Sequence, residues 1–349
     1  MTITEIQTTI PKGSWILVTG ASGFLASHVV KEFLQRGYKV RGTVRDLNKY
    51  AWLVQDLFKT DADKSNFESV QVPDLAAPHA FDEAVKGVSA IVHIATIGFD
   101  PNPNNVIPKV VAGTKSLLEA ATKEPSVKQF VYTSSVAAMI SPQLGDTARL
   151  TANTWNNEAV EQAWAPPPYE PIRAFTVYAA SKTQAEKAVW EFANEKHPHF
   201  TINSVVPATI MGECLSKSHA ELGHMFLRIL YEGKPDAVAA ILTMPGPIPH
   251  NVRDCAILHV AAVLDPDVKN ARLIGWGQPC SWNDIVAIMR RLCPDRQFID
   301  EIPGLEAYKI TADDEQSLVI LKKWTGQDGW TSLEQSIAEH LPNIVKWYP

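Results

Sequence analysis

Along the first half of the chain, short apolar runs alternate with segments whose apolar residues recur at helical spacing. Trp15-Ile16-Leu17-Val18 is a brief apolar run bounded by Gly13 and Gly20, the pattern of a buried strand. From about Gly23 to Arg36, Leu25, Val29 and Phe33 fall at i, i+4 and i+8, flanked by Ala26, Val30 and Leu34. Gly37 supplies the stop, so an amphipathic helix is predicted there. Strands are predicted at Tyr38 to Val44, Ser69 to Val72, Ser89 to Ala95 and Gln129 to Thr133, with a helix over Val110 to Ala121. Strand, helix, strand at this cadence implies βαβ units and a parallel sheet covered by helices on both faces. Beyond the fifth strand the rhythm breaks. Residues 141–173 hold turns, a short helical piece around Trp155 to Trp164, and prolines at 166, 167, 168 and 171. A long helix (Tyr178 to Lys196) and a strand (Thr201 to Val206) follow, then a mixed region with a proline-rich loop, Thr243 to Pro249. A helix over Asp254 to Leu264 is placed to rejoin the first domain, and residues 271–349 read as a smaller α+β region. The expected organisation is a doubly wound α/β domain over residues 1–207, with the return of 250–270, and a mainly substrate-binding cap over 208–349.

Composition narrows the function classes. The 349 residues carry a net charge of −6, which leaves no basic footprint for nucleic acid. Hydrophobic residues make up 46%, ample for a core, yet no run approaches the ~18 apolar residues of a membrane span. The opening residues show neither a basic nor an apolar segment of an export signal, so a cytoplasmic location is expected. Cys214, Cys255, Cys280 and Cys293 are scattered, without metal-ligand spacing, and are expected to be reduced and mostly buried.

The chemistry starts where the first strand runs into the first helix, at Thr19-Gly20-Ala21-Ser22-Gly23-Phe24-Leu25-Ala26. A phosphate at a helix N-terminus is held by free N–H groups and the positive end of the dipole, which demands close backbone approach. Gly20 permits the tight turn, Gly23 the approach, and Ala26 close packing of helix on sheet. An NAD site usually places an acid about 20 residues past the glycines. Here Arg45 follows the second strand instead, with Lys49 four residues on. A guanidinium matches a phosphate bidentately, so the 2′-phosphate of NADP is expected. Tyr178 and Lys182, at i and i+4, share one helix face. A phenol is a poor proton donor near neutrality unless its anion is stabilised, and the ammonium is expected to lower its pKa.

The turn TGASGFLA resembles the TGxxGxxA/G turn of the extended short-chain dehydrogenase/reductases. So do His93-Ile94-Ala95, Thr133-Ser134-Ser135, Tyr178-Ala179-Ala180-Ser181-Lys182, and Val252-Arg253-Asp254 followed by His259. The wording is most similar to fungal NADPH-dependent aldehyde and ketone reductases, and next to plant dihydroflavonol reductases. The resemblance implies a Rossmann fold, NADPH/NADP+ as cofactor, and reduction of an aldehyde or ketone. It implies Tyr178 as proton donor, Lys182 as pKa modulator and ribose anchor, and Ser135 rather than Ser134 as the carbonyl-oxygen ligand. It extends the cofactor set to Gly20, Ser22, Gly23, Phe24, Leu25, Arg45, Lys49, Asp74, Leu75, Ala95, Thr133 and Pro207, Asp74 as the adenine-binding acid. Val110 stands where many relatives carry Asn.

The segments expected to overhang the sheet are apolar and proline-stiffened, among them Phe99, Phe175, Met211 and Met244. Such a lining suits an apolar or aromatic carbonyl compound. The chain is expected to act on that small molecule as a monomer or homodimer. Two rival readings stay open: a nucleotide-sugar epimerase or dehydratase that retains NAD, and a non-catalytic dinucleotide-sensing regulator.

Overall fold

A computed structural model describes residues 7–143, 145–222, 225–242 and 246–348. Met244 lies outside the described residues. Seven strands form the main sheet: β1 (Trp15–Val18), β2 (Lys39–Val44), β3 (Phe67–Gln71), β4 (Ala90–His93), β5 (Gln129–Thr133), β6 (Thr201–Pro207) and β7 (Arg272–Gly275). Their order is β7-β6-β5-β4-β1-β2-β3, and the pairings from β3 across to β6 are parallel. The order reverses between β1 and β4, where Leu17 pairs with Ile91 and Val18 with Val92. In such sheets the crevice beyond the strands' carboxyl ends, at the reversal, receives the ligand.

The principal helices are α1 (Phe24–Gln35), α2 (Pro103–Lys123), α3 (Arg173–Lys196) and α4 (Val252–Leu264). In α1 the stripe of Leu25, Val29 and Phe33 is buried, as its spacing predicts. Gly37, at φ 82°, ends it: its N–H donates to the Leu34 carbonyl and that of Tyr38 to the Phe33 carbonyl. Side-chain hydrogen bonds explain three of the departures from the pattern. β4 stops at His93 because the Ile94 and Ala95 N–H groups turn to the Thr19 hydroxyl, both at 3.0 Å, instead of to a strand. α2 begins at Pro103, seven residues early, because the Asn102 side chain accepts the Asn104 N–H and proline suits the first helical position. α3 begins at Arg173, whose guanidinium donates to the Ala165 and Pro166 carbonyls. Tyr178 therefore lies in the second turn, and Phe175 is helical rather than in a loop.

The chain divides into two compact units. The first comprises Met1–Ser141, Thr154–Val206 and Ala256–Leu273; one of its cores gathers Leu17, Ile91, Leu117, Phe130, Tyr132 and Ile202. The second comprises Pro142–Asn153, Pro207–Cys255 and Ile274–Pro349. Its core holds Leu227, Trp282, Ile285, Met289 and Ile337. Met211 is fully buried in that core, which corrects its reading as a pocket residue. Arg272–Gly275 belongs to the main sheet, although the region from 271 read as part of a separate cap. All four cysteines are free; burial pushes Cys214 and Cys280 up to about 12, so both stay thiols. Among the described residues no helix is long and apolar enough to cross a membrane, and no cluster of three acidic, His or Cys side chains has metal-site geometry.

Candidate functional site

Because the paired strands run parallel, Thr19-Gly20, Arg45, Ala95 and Thr133-Ser134-Ser135 all fall at one edge of the sheet. The glycine turn hangs on the end of β2. The Ala21 N–H donates to the Thr43 carbonyl and the Gly20 N–H to the Thr43 hydroxyl, each at 3.0 Å. Gly20 has φ 70°, and a Cβ there would stand 3.2 Å from Ala95 at the reversal of strand order. Gly23 starts α1 with no side-chain cap and no acid in the first turn. The N-cap of α1 thus brings no side chain of its own to the turn, and a β-carbon at Gly20 would crowd Ala95 at a strained φ. Both features fit a dinucleotide phosphate.

At the tip of β2, Arg45 and Lys49 are exposed around Tyr50. The Arg45 Nη2 donates to the Tyr50 hydroxyl at 3.4 Å, and Lys49 Nζ lies 5.7 Å from the ring centre. Lys49 lies in a turn and not one helical turn along, because the Asp46 carboxylate captures the Asn48 and Lys49 N–H groups. Asp74 likewise caps its own turn, accepting the Ala76 N–H at 2.9 Å. Leu75, Ala95 and Val110 line a small cleft with His93.

His93 sits in a directed chain of hydrogen bonds. Thr19 Oγ1 accepts two N–H groups, so its own hydrogen goes to His93 Nδ1 at 2.9 Å. Thr114 donates to the Val110 carbonyl and so accepts from His93 Nε2 at 3.4 Å. Burial, reinforced by Lys182, pushes His93 down to about 3, and the ring is neutral.

Each residue of the Thr-Ser-Ser run after β5 is engaged differently. The Thr133 carbonyl accepts from Lys182 Nζ at 2.9 Å, and its hydroxyl meets His259 at 2.8 Å. Ser134 donates to the buried Glu186 carboxylate at 2.6 Å. Ser135 caps the short 3-10 turn through the Ala137 N–H, and its partly buried side chain lies beside Tyr178. Burial raises the Tyr178 phenol above its ordinary value and the Ser135 hydroxyl opposes the rise. The expected lowering by the ammonium is not found: Lys182 points to Thr133 and lies over the Tyr132 ring, 5.5 Å from its centre. Burial lowers Lys182 itself to about 8, against the pull of Glu186. Over Tyr178 stands Phe99, ring centres 4.8 Å apart, with Phe175 5.2 Å from Phe99. Both phenylalanines are more than half exposed, at 59% and 54%. Pro207 ends β6 and is buried.

Sequence reasoning missed Thr43, Thr114, Glu186 and Arg272. Glu186 was findable, since it extends the i, i+4 series of Tyr178 and Lys182; the others carry no local signal.

Comparison with known proteins gives the family and the fold. A family model described as the NAD dependent epimerase/dehydratase family matches residues 16–241. Aldehyde reductase 2 of Sporidiobolus salmonicolor is 37% identical over 336 residues, covering 95% of this chain and 96% of that protein. The Aspergillus terreus protein named NAD-dependent epimerase/dehydratase terH is 36% identical over 340 residues, covering 97% and 99%. The crystal structure of Gre2 from Candida albicans in complex with NADPH superposes with a TM-score of 0.78 at 25% identity, covering 96% of this chain and all of that one.

Proposed function

The chain belongs to the NAD dependent epimerase/dehydratase family of extended short-chain dehydrogenase/reductases, and from that premise we propose that it reduces an apolar or aromatic aldehyde or ketone to the alcohol with NADPH. One observation carries the reading: at the carboxyl edge of the sheet, Tyr178 lies beside Ser135 while Lys182, one helical turn on, reaches the same strand end at the Thr133 carbonyl. Supporting it are a relative named aldehyde reductase and a structural neighbour in complex with NADPH.

When bound, NADPH supplies the hydride to the carbonyl carbon. Its pyrophosphate would rest on the Gly20–Gly23 turn and the N-terminus of α1, and its 2′-phosphate on Arg45 and Lys49. Tyr178 gives its phenolic proton to the carbonyl oxygen as that oxygen becomes an alkoxide. Ser135 hydrogen-bonds the same oxygen and stabilises the developing charge. Ser134 is engaged by Glu186, which favours Ser135 in this role. Lys182, held as the ammonium on the Thr133 carbonyl, would anchor the nicotinamide ribose hydroxyls. With that amine near 8, turnover falls as pH rises through this value. Phe99 and Phe175 offer aromatic faces beside the phenol and few polar groups, which suits a carbonyl carried on an apolar or aromatic frame.

The test is NADPH oxidation across aromatic aldehydes, β-keto esters and diketones, with NADH as control. Oxidation with at least one class and a preference for NADPH is expected. Indifference to both, with NAD co-purifying on the protein, would replace the reading with the epimerase one.

A further inference from the structure

The helix face that carries Tyr178 and Lys182 continues to Glu186. Its carboxylate is fully buried and paired with Arg272 of β7, whose side chain is 4% exposed. The pair is bidentate, Nε to Oε1 at 2.9 Å and Nη2 to Oε2 at 2.8 Å. A brace alone would need no more than that. Here each carboxylate oxygen accepts further bonds. Oε2 takes the Ser134 hydroxyl at 2.6 Å; Oε1 takes the Ser204 hydroxyl at 2.8 Å and the Trp190 indole at 3.5 Å. The guanidinium is fixed in turn: Nη1 donates to the Thr154 carbonyl at 2.6 Å, and the group lies 3.9 Å from the centre of the Trp155 ring. One carboxylate thereby joins α3, the end of β5, β6 and β7.

The position of Ser134 gives this network its consequence. It stands between Thr133, whose carbonyl receives Lys182, and Ser135, whose side chain lies beside Tyr178. A turn of the backbone at Ser134 would displace both. We infer that Glu186, locked by Arg272, is a positioning residue: by holding the Ser134 hydroxyl it fixes the strand end that aims Ser135 at Tyr178 and presents the Thr133 carbonyl to Lys182. This rests on the reading of Tyr178, Lys182 and Ser135 as the reductive site, and adds the residue that holds it in register.

The same carboxylate acts on Lys182 by charge. The titratable and charged groups around that amine are His93 of β4, Tyr132 of β5, Tyr178 and Glu186 of its own helix, His259 of α4 on the Thr133 hydroxyl, and Arg272 of β7 on Glu186. Burial keeps His93 and both tyrosines neutral near pH 7, so the negative charge among them is that of Glu186. Removing it leaves the burial of Lys182 unopposed and adds the uncompensated Arg272, both of which favour the neutral amine.

Two variants and two readouts test the proposal. Ser134→Ala removes one hydroxyl and keeps the ion pair; Glu186→Gln removes the charge at nearly constant shape. Turnover is expressed per NADPH-binding site, so loss of folded protein does not count as loss of rate. Ser134→Ala is expected to lower kcat about tenfold with KM for the carbonyl little changed and the alkaline limb of the pH profile in place. Glu186→Gln is expected to lose at least as much and to move that limb to lower pH by about half a unit or more. The second readout needs no turnover: NMR titration of the Lys182 side chain in ligand-free protein, assigned by its loss in Lys182→Met. It should titrate near 8 in the wild type and lower in Glu186→Gln.

A Ser134→Ala kcat within twofold of wild type, or a Lys182 titration unmoved in Glu186→Gln, overturns the proposal. If Glu186→Gln does not fold, Ser134→Ala decides alone. A wild type that reduces no carbonyl fails the functional reading instead, and the Lys182 titration still decides this one.

Discussion

At His93 a single buried ring ties the site to the pH dependence of the whole protein. Burial holds its folded pKa about 3, against 6.5 for an ordinary imidazole, so the unfolded chain binds the extra proton between these values. Stability is therefore fully present above 6.5 and is lost as pH falls toward 3, by up to roughly 5 kcal/mol. Replacing His93 with Gln should remove most of that slope, as read from urea midpoints at pH 7 and pH 4; an equal slope in both proteins would show that other groups carry it. Arg45 is the other residue whose role is separable. It is exposed, so its loss should leave stability within about 0.5 kcal/mol. Arg45→Asp should move the NADPH-to-NADH ratio of kcat/KM toward NADH by about tenfold or more, since a carboxylate repels the 2′-phosphate and accepts from a 2′-hydroxyl. An unchanged ratio would remove Arg45 from the cofactor site.

Among the elements, the glycine turn depends on its neighbour as much as on itself. A Cβ added at Gly42 in β2 would stand 2.6 Å from the Ala21 Cβ, against the turn that Thr43 suspends. Gly42→Ala should therefore push that turn, costing about 1–3 kcal/mol of stability and weakening NADPH binding. Thermal denaturation and fluorescence titration check both; unchanged affinity would mean that the turn absorbs the shift. Elements with strong periodicity were legible in the sequence: β1 and β5 run as their apolar patterns predict, and α1 within a residue at each end. The misjudged boundaries share a cause. At the ends of β4 and α2 the side chains of Thr19 and Asn102 accept backbone N–H groups, and at the start of α3 Arg173 donates to backbone carbonyls; hydropathy does not register such bonds. Tyr178, Lys182 and the glycines could be singled out as candidates because their signal is local, being spacing on one helix and freedom at one turn. Glu186 could be found by the same spacing, but its pairing with Arg272 could not, since 86 residues separate two partners that meet only once the sheet has formed.

For the molecule as a whole, the parallel order of the sheet delivers the glycine turn, the cation-bearing tip of β2 and the serine-bearing end of β5 to one edge. The second unit has its own apolar core, into which Met211 is absorbed, so mean apolarity along the sequence could not separate packing from lining. The account as a whole stands on Tyr178 as the proton donor. The most direct measurement compares Tyr178→Phe with wild type in carbonyl-dependent NADPH oxidation, alongside the NADPH dissociation constant. The account predicts kcat lower by about 100- to 10,000-fold with the dissociation constant within about threefold. Turnover within a few fold of wild type, at the same affinity, would contradict it.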